Sequence, residues 1–225
     1  MIWERFGDVA NYVEPFAGSL AVLLARPTEP RIETVNDLDC HIANFWRAVQ
    51  SDPEAVAKWC DWPVNEADLH ARHLWLVQGL PAHRERMLTE PDYFDAKIAG
   101  WWVWGICQWI GSGWCAEQKP SRQLPHVGNA GRGVHRKLPS VGNTGRGVHR
   151  QRPHVGNAGR GGLFEELTAR LRRVRVCCGD WSRVIGDSVT WRHGVTGVLL
   201  DPPYADTAQR SKDLYTNDSL DVAHA

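Results

Sequence analysis

Residues 118–162 contain nine basic residues, ten glycines and no acid, and most of this segment is a 14-residue unit repeated nearly unchanged at 124–137 and 138–151 and in part at 152–161. Valine and leucine are the only sizeable apolar residues of each unit, so stacking the units would bury little surface. Glycine also loses more backbone entropy on ordering than any other residue. Such a segment cannot supply a core. It reads as a flexible basic insertion, and a compact fold has to be built from the sequence on either side of it. Two roles fit the repeat. One is a neutral, expandable loop, because long loops close at modest entropic cost. The other is a nucleic-acid contact in which the glycine-flanked Arg132, Arg146 and Arg160 meet backbone phosphates. His126, His135, His149 and His154 recur with the repeat, so their spacing reflects duplication rather than metal geometry.

The 225 residues carry 26 Lys plus Arg against 26 Asp plus Glu, which leaves a body of net charge −9 around the +9 segment. A hydrophobic content of 43% excludes a wholly disordered chain and suits one domain, or one domain with an insertion. No apolar run approaches the roughly 18 residues that span a bilayer. The opening residues, Met1 to Arg5, lack the basic and apolar regions of a signal peptide. A cytoplasmic protein with no membrane segment is expected. Six cysteines stand at 40, 60, 107, 115, 177 and 178 without a Cys-x-x-Cys pair, and the gap between Cys107 and Cys115 is wrong for a zinc knuckle. Reduced thiols and no metal are expected.

Residues 1–48 and 163–204 alternate strand, glycine-turn and amphipathic-helix signals, the pattern of an α/β domain. Residues 49–117 read as helical, with one segment over 66–87 and another over 93–107, and with Pro53, Pro63, Pro81 and Pro91 punctuating the helices rather than lying inside them. Trp101, Trp104 and Trp109 fall roughly on one face and read as core rather than as a base-stacking platform. Around 163–173, Glu165, Glu166, Arg170, Arg172 and Arg173 read as a solvated helix face beside an apolar stripe.

Two motifs carry chemistry. In the first, Tyr12, Val13 and Glu14 lead through Pro15, Phe16, Ala17 and Gly18 to Ser19 and an apolar helical run. A strand that ends in a glycine turn and opens a helix presents free backbone N–H groups, and its backbone can approach a cofactor closely. A buried strand with a chance Gly-Ser turn would look the same. In the second, the strand 197–200 runs into Asp201, Pro202, Pro203 and Tyr204. The prolines fix φ and lack N–H, so they stop the strand and hold the Asp201 carboxylate and the proline carbonyls rigidly at its carboxyl end. Two such acceptors can receive hydrogen bonds from an exocyclic amine, and a tyrosine ring can stack on a flat base. The bland alternative is a proline-terminated strand with a surface tyrosine. No Ser-His-Asp arrangement and no phosphate-binding glycine loop ending in Lys-Ser/Thr accompanies these motifs.

In these motifs the sequence resembles the Dam-like (D12 class) adenine-specific DNA N6-methyltransferases that use S-adenosylmethionine. The cofactor turn resembles Glu14 to Ser19, the family's Asn-Asp at the second strand end resembles Asn36 and Asp37, its Gly-Asp pair resembles Gly179 and Asp180, and its catalytic tetrapeptide matches residues 201–204 in the family order. The resemblance implies a Rossmann-like α/β methyltransferase core with a helical, loop-rich insertion. Residues 1–48 would form its cofactor-binding part, 49–117 a target-recognition-like region, 118–162 the basic repeat loop and 163–225 the catalytic part.

Glu14, Pro15, Phe16, Ala17 and Gly18 would then form the cofactor turn, the last three lining the methionine end. Asp37 would accept from the ribose hydroxyls and Asp180 from the adenine amino group of the cofactor. Asp201 and Pro202 would orient the target amine, with Pro203 and Tyr204 completing the catalytic tetrapeptide and Tyr204 stacking on a flipped adenine. The partner would be double-stranded DNA in a restriction-modification or prophage setting. Where the family has a second glycine this chain has Leu20, and relative to the family both ends of the core are short, which fits a fragment, a decayed prophage-like gene or a half that needs a partner chain to supply the missing strands. Two further outcomes fit the residues: a catalytically inactive DNA-binding remnant, and methylation of cytosine N4 or another planar amine.

Overall fold

The computed structural model describes residues 2–109, 114–115 and 163–202; the basic repeat with Arg132, Arg146 and Arg160, and Pro203 and Tyr204, lie outside these. Four strands, β1 (Asn11–Glu14), β2 (Ile32–Asp37), β3 (Val174–Cys178) and β4 (Thr196–Val198), form one sheet in the order β3-β2-β1-β4. Every pairing is parallel, with Val13 opposite Thr34 and Val198, and Asp37 opposite Cys178. Two strands come from each side of the repeat, so the sheet joins the two flanks. Successive strand residues face opposite sides, and all four residues of β1 are buried, which means that both faces of the sheet are covered there.

That burial includes polar groups, and two of them tie the sheet to its surroundings. The Asn11 amide donates to the Val189 carbonyl at 2.6 Å and to Thr196 Oγ1 at 3.1 Å, which holds the approach to β4 against β1. On β2, Glu33 is 2% exposed and lies between two guanidinium groups. Arg26 Nη1 reaches Glu33 Oε1 at 3.2 Å, while Arg170 Nη1 reaches Oε2 at 2.6 Å and Arg170 Nη2 reaches Oε1 at 2.9 Å.

Seven α-helices, α1 (Ile2–Phe6), α2 (Ala21–Leu24), α3 (Cys40–Ser51), α4 (Pro53–Cys60), α5 (Glu66–Thr89), α6 (Ala96–Gln108) and α7 (Leu163–Leu171), and short 3-10 turns at Trp181–Val184 and Trp191–His193 make up the helical part of the described residues. The long ones start where an acceptor side chain takes one of the unbonded N–H groups of the first turn. Asp39, Asp52, Asn65 and Asp95 cap α3 to α6 in this way. The main core gathers Trp3, Tyr12, Leu20, Leu23, Val35 and Trp46 with further residues of α3, α4 and α7. Gln50 donates to the carbonyls of Leu171 and Val174 at 2.6 and 2.8 Å, and Thr168 donates to that of Val49 at 2.9 Å, so α3 and the α7–β3 turn are fastened across more than 100 positions of sequence.

Two sequence expectations are corrected. Pro81 lies inside α5 rather than between helices. Pro81 itself is exposed, and buried Leu76, Leu80, His83 and Met87 on the same helix hold the helix in place on either side of it. Arg170 is not part of a solvated face; it is committed to buried Glu33, and only Glu165, Glu166, Arg172 and Arg173 of that group are exposed. The tryptophans of α6 behave as expected. Trp104 is 2% exposed, and Trp101, Trp102 and Trp109 pack against a cluster containing Leu76, Ile98 and Trp114.

Candidate active site at the carboxyl ends of the strands

From β1 the chain moves to one side for β2 and β3, then returns to the other side of β1 for β4. The carboxyl ends of β1 and β4 therefore diverge at a topological switch point, the place where open α/β sheets bind ligands. The sequence-predicted residues within the described region stand at the carboxyl ends of these strands. Glu14 closes β1 and leads into the Pro15–Gly18 turn, Asp37 closes β2, Asp180 follows β3 by two residues, and Asp201 and Pro202 follow β4. The Leu199 amide donates to the Val13 carbonyl at 2.9 Å, extending the β1–β4 pairing to within two residues of Asp201.

The turn after β1 is shaped to leave its backbone open. Gly18 has φ +47°, and a Cβ placed there would meet nothing within 4 Å. Its N–H donates to Asp37 Oδ2 at 3.0 Å, and the Asp39 N–H donates to Oδ1 at 2.9 Å. Each carboxylate oxygen keeps a further lone pair for a donor such as a hydroxyl. Burial nevertheless pushes the Asp37 carboxyl up to about 6, with these hydrogen bonds pulling in the opposite direction. Across the turn, the Phe16 ring stacks on that of Trp181 at 6.2 Å between centroids and 30° between planes. Asp180, beside Trp181, is exposed and accepts from the Ser182 hydroxyl and amide, which hold its carboxyl below the ordinary range.

Three residues to which the motifs assign no role hold this arrangement. The Asn36 side-chain amide donates to the Pro15 carbonyl at 3.1 Å and to the Gly179 carbonyl at 2.9 Å, joining the loops after β1 and β3. Trp46 Nε1 donates to the Gly18 carbonyl at 2.9 Å. Trp181 supplies the ring against Phe16. The Asn-Asp pair was a signal for Asn36, but no local pattern marks the two tryptophans.

Leu20 occupies the left-handed region, with φ 55° and ψ 22°, at the residue that starts α2. This backbone explains why a glycine would suit the position. Here a fully buried leucine side chain in the main core offsets the strain. Leu20→Gly relieves about 1 kcal/mol of backbone strain but removes a buried leucine side chain, which costs more, about 2–5 kcal/mol. The variant is expected to be less stable by about 2 kcal/mol in urea unfolding, and a gain in stability would contradict the packing role.

Glu14 is 4% exposed and accepts from the Tyr12 hydroxyl at 3.0 Å. Burial pushes its carboxyl up to about 7, the Tyr12 hydrogen bond opposes this, and the nearby Asp201 carboxylate adds to it. Because the folded state holds this proton more tightly than the unfolded chain, the contribution of Glu14 to stability is fullest below pH 4.5 and is lost as pH rises through about 7. Glu14→Gln is therefore expected to stabilise the protein above pH 7 by up to about 3 kcal/mol, with no gain below pH 4.5. Thermal unfolding as a function of pH checks both ends of that range.

No described cluster of three or more His, Cys, Asp or Glu residues is placed to hold a metal ion, and no described helix is long and apolar enough to cross a membrane. The donor set instead suits an organic ligand with hydroxyl and amino groups: exposed backbone at Gly18, a half-buried carboxylate at Asp37, an exposed one at Asp180 and aromatic rings at Phe16 and Trp181. Residues 2–70 match the D12 class N6 adenine-specific DNA methyltransferase family. The D12 match runs from α1 into α5, so it includes the Glu14–Gly18 turn and Asp37, while Asp180 and Asp201 lie beyond it. The parallel α/β sheet is consistent with a methyltransferase fold, and the activity named by the D12 class is DNA adenine methylation. No curated protein matches the chain.

Proposed function

We propose that this chain is an S-adenosylmethionine-dependent DNA methyltransferase that acts on the N6 amine of adenine, built on a Rossmann-like core. One observation carries the reading: the open Gly18 turn hydrogen-bonded to Asp37 stands at the same end of the sheet as Asp201 and Pro202, at the β1/β4 switch point. Bound there, S-adenosylmethionine supplies an electrophilic methyl group on a sulfonium, so no metal is needed.

Phe16, Ala17 and Gly18 line the methionine end of the cofactor, Asp37 accepts from its ribose hydroxyls, and Asp180 accepts from its adenine amino group. Asp201 and the Pro202 carbonyl accept hydrogen bonds from the target amine, orient its lone pair and stabilise the positive charge that grows on nitrogen during attack. Pro203 stiffens that segment and Tyr204 stacks on the flipped base. Glycine-flanked Arg132, Arg146 and Arg160 contact phosphates, and helical residues 49–117 face the target.

The test is transfer of labelled methyl from S-adenosylmethionine to unmethylated duplex DNA, followed by nucleoside analysis. Label in N6-methyladenine is the expected result. Label in N4-methylcytosine would reassign the base, and a folded protein that binds DNA but transfers no methyl would overturn the enzymatic reading in favour of a binding remnant.

A further inference from the structure

None of the six cysteines is in a disulfide, and two of them face each other across the fold. Cys40 opens α3 and Cys178 ends β3, with Sγ atoms 3.4 Å apart. The neighbouring Cys177 does not compete for this position, because successive strand residues point to opposite faces. Cys40 sits on the first turn of a helix, where backbone N–H groups favour a thiolate. The Cys178 thiol, which donates to it, lowers the Cys40 thiol, burial opposes this, and Arg84 acts in the same direction as Cys178. Cys178 in turn holds its own proton more tightly. Burial pushes Cys60 up to about 12 and raises Cys115 as well, which makes those thiols poor nucleophiles. Cys40 is 2% exposed, and Cys178, partly buried, packs against the same cluster at the end of β3.

We propose that Cys40 and Cys178 form a redox-active pair that a peroxide converts to a disulfide joining the start of α3 to the end of β3. The Cys40 thiolate attacks a peroxide oxygen, forming an S–O bond as the O–O bond breaks and hydroxide leaves to become water. That hydroxide takes the Cys178 proton, and the Cys178 sulfur then attacks the Cys40 sulfur, forming the S–S bond as the S–O bond breaks and a second hydroxide leaves, which becomes water with the proton that Cys40 gave up. In total, two thiols and one hydrogen peroxide give one disulfide and two waters, a two-electron oxidation that a dithiol reverses.

The bridge connects the two sides of the repeat. It closes a very long loop of the unfolded chain, the situation in which a crosslink restricts that ensemble most. It also joins the loops of two acidic residues, since Gly179 N–H already donates to the Asp37 carbonyl at 3.0 Å. Under the function proposed above, the oxidised form fixes the ribose-side and adenine-side carboxylates relative to one another.

The full chain is treated with a small excess of hydrogen peroxide, free thiols are alkylated, and the protein is digested and mapped by mass spectrometry, in wild type, Cys177→Ser and Cys178→Ser. The expected result is a dithiothreitol-reversible link between the Cys40 and Cys178 peptides in wild type and in Cys177→Ser. Cys178→Ser should leave Cys40 as a sulfenic acid that dimedone traps. A rise of about 10 °C in the unfolding midpoint should accompany the link. Alkylatable Cys40 after peroxide, or a link that persists in Cys178→Ser, would overturn the proposal. This readout concerns thiols alone, so an absence of methyl transfer with the link intact would count against the proposed function and not against the pair.

Discussion

Asp201→Ala is expected to lower the rate constant for methyl transfer to DNA by on the order of a thousandfold while leaving the unfolding midpoint unchanged. The two halves of this expectation have separate physical origins. Asp201 is exposed beyond the end of β4, so its removal takes nothing from the core, and substitutions at such positions usually change stability by less than about 0.5 kcal/mol. In the proposed reaction, by contrast, its carboxylate is a fixed acceptor for the amine at the moment that nitrogen becomes positive, and an interaction made mostly in the transition state appears in kcat more than in KM.

Asp201→Asn should fall between, since the amide keeps one acceptor but loses the charge and presents a donor to the amine. S-adenosylmethionine affinity should stay within a factor of two or so of wild type in both variants, because under the proposed function Asp37 and Asp180 carry that binding. Loss of affinity equal to the loss of rate would move Asp201 from the amine to the cofactor.

The second large effect is on stability. Glu33→Ala is expected to destabilise the protein by about 3–5 kcal/mol, the usual result of leaving a buried charge without its partner. Arg26 has a fully buried side chain, donates to the Val9 carbonyl at 2.6 Å and lies over the Trp3 ring at 5.2 Å, so it cannot turn out to solvent without disturbing the core. Arg170 is held in turn by the Leu23 carbonyl at 2.8 Å. Without Glu33, two guanidinium groups would face one another, with the half-exposed Asp8 carboxylate, 3.7 Å from Arg26, as a remaining counter-charge.

Glu33→Gln, which keeps an acceptor, should cost less than Glu33→Ala. The double variant Glu33→Leu with Arg170→Met should cost less than the sum of its single changes, because a buried pair replaced together leaves no unpaired charge. Urea unfolding of these variants measures the coupling. A cost below about 1 kcal/mol for Glu33→Ala would mean that water reaches the site and screens it.

How much of this was legible beforehand depended on how local each signal is. The strand expected over 197–200 corresponds to β4, but it ends at Val198 before reaching the prolines, with the Leu199 amide still paired to Val13. The helices over 66–87 and 93–107 could be read from periodicity and correspond to α5 and α6, since a helix repeats its exposure every few residues along the chain. Pro81 shows the limit of the same rule. Its local preference against helix interiors was overcome by packing from buried side chains on both sides of it. The placing of Gly18 and Asp37 as strand-end residues followed from sequence as well, but the hydrogen bond between them did not, because it depends on β1 and β2 lying side by side.

The order of motifs and the glycine turn after β1 were determined by the sequence alone, for each rests on the conformational freedom or polarity of residues close together in the chain. Tertiary structure alone decided the partnership of Glu33 with Arg170, the bridge that Asn36 makes between two loops, the left-handed turn at Leu20 and the meeting of Cys40 with Cys178. Most of these pairings join residues more than 100 positions apart, and they exist because the sheet places β3 beside β2 and β4 beside β1. That order is settled by covering both faces of β1, a property of the whole core that no short stretch of the chain carries.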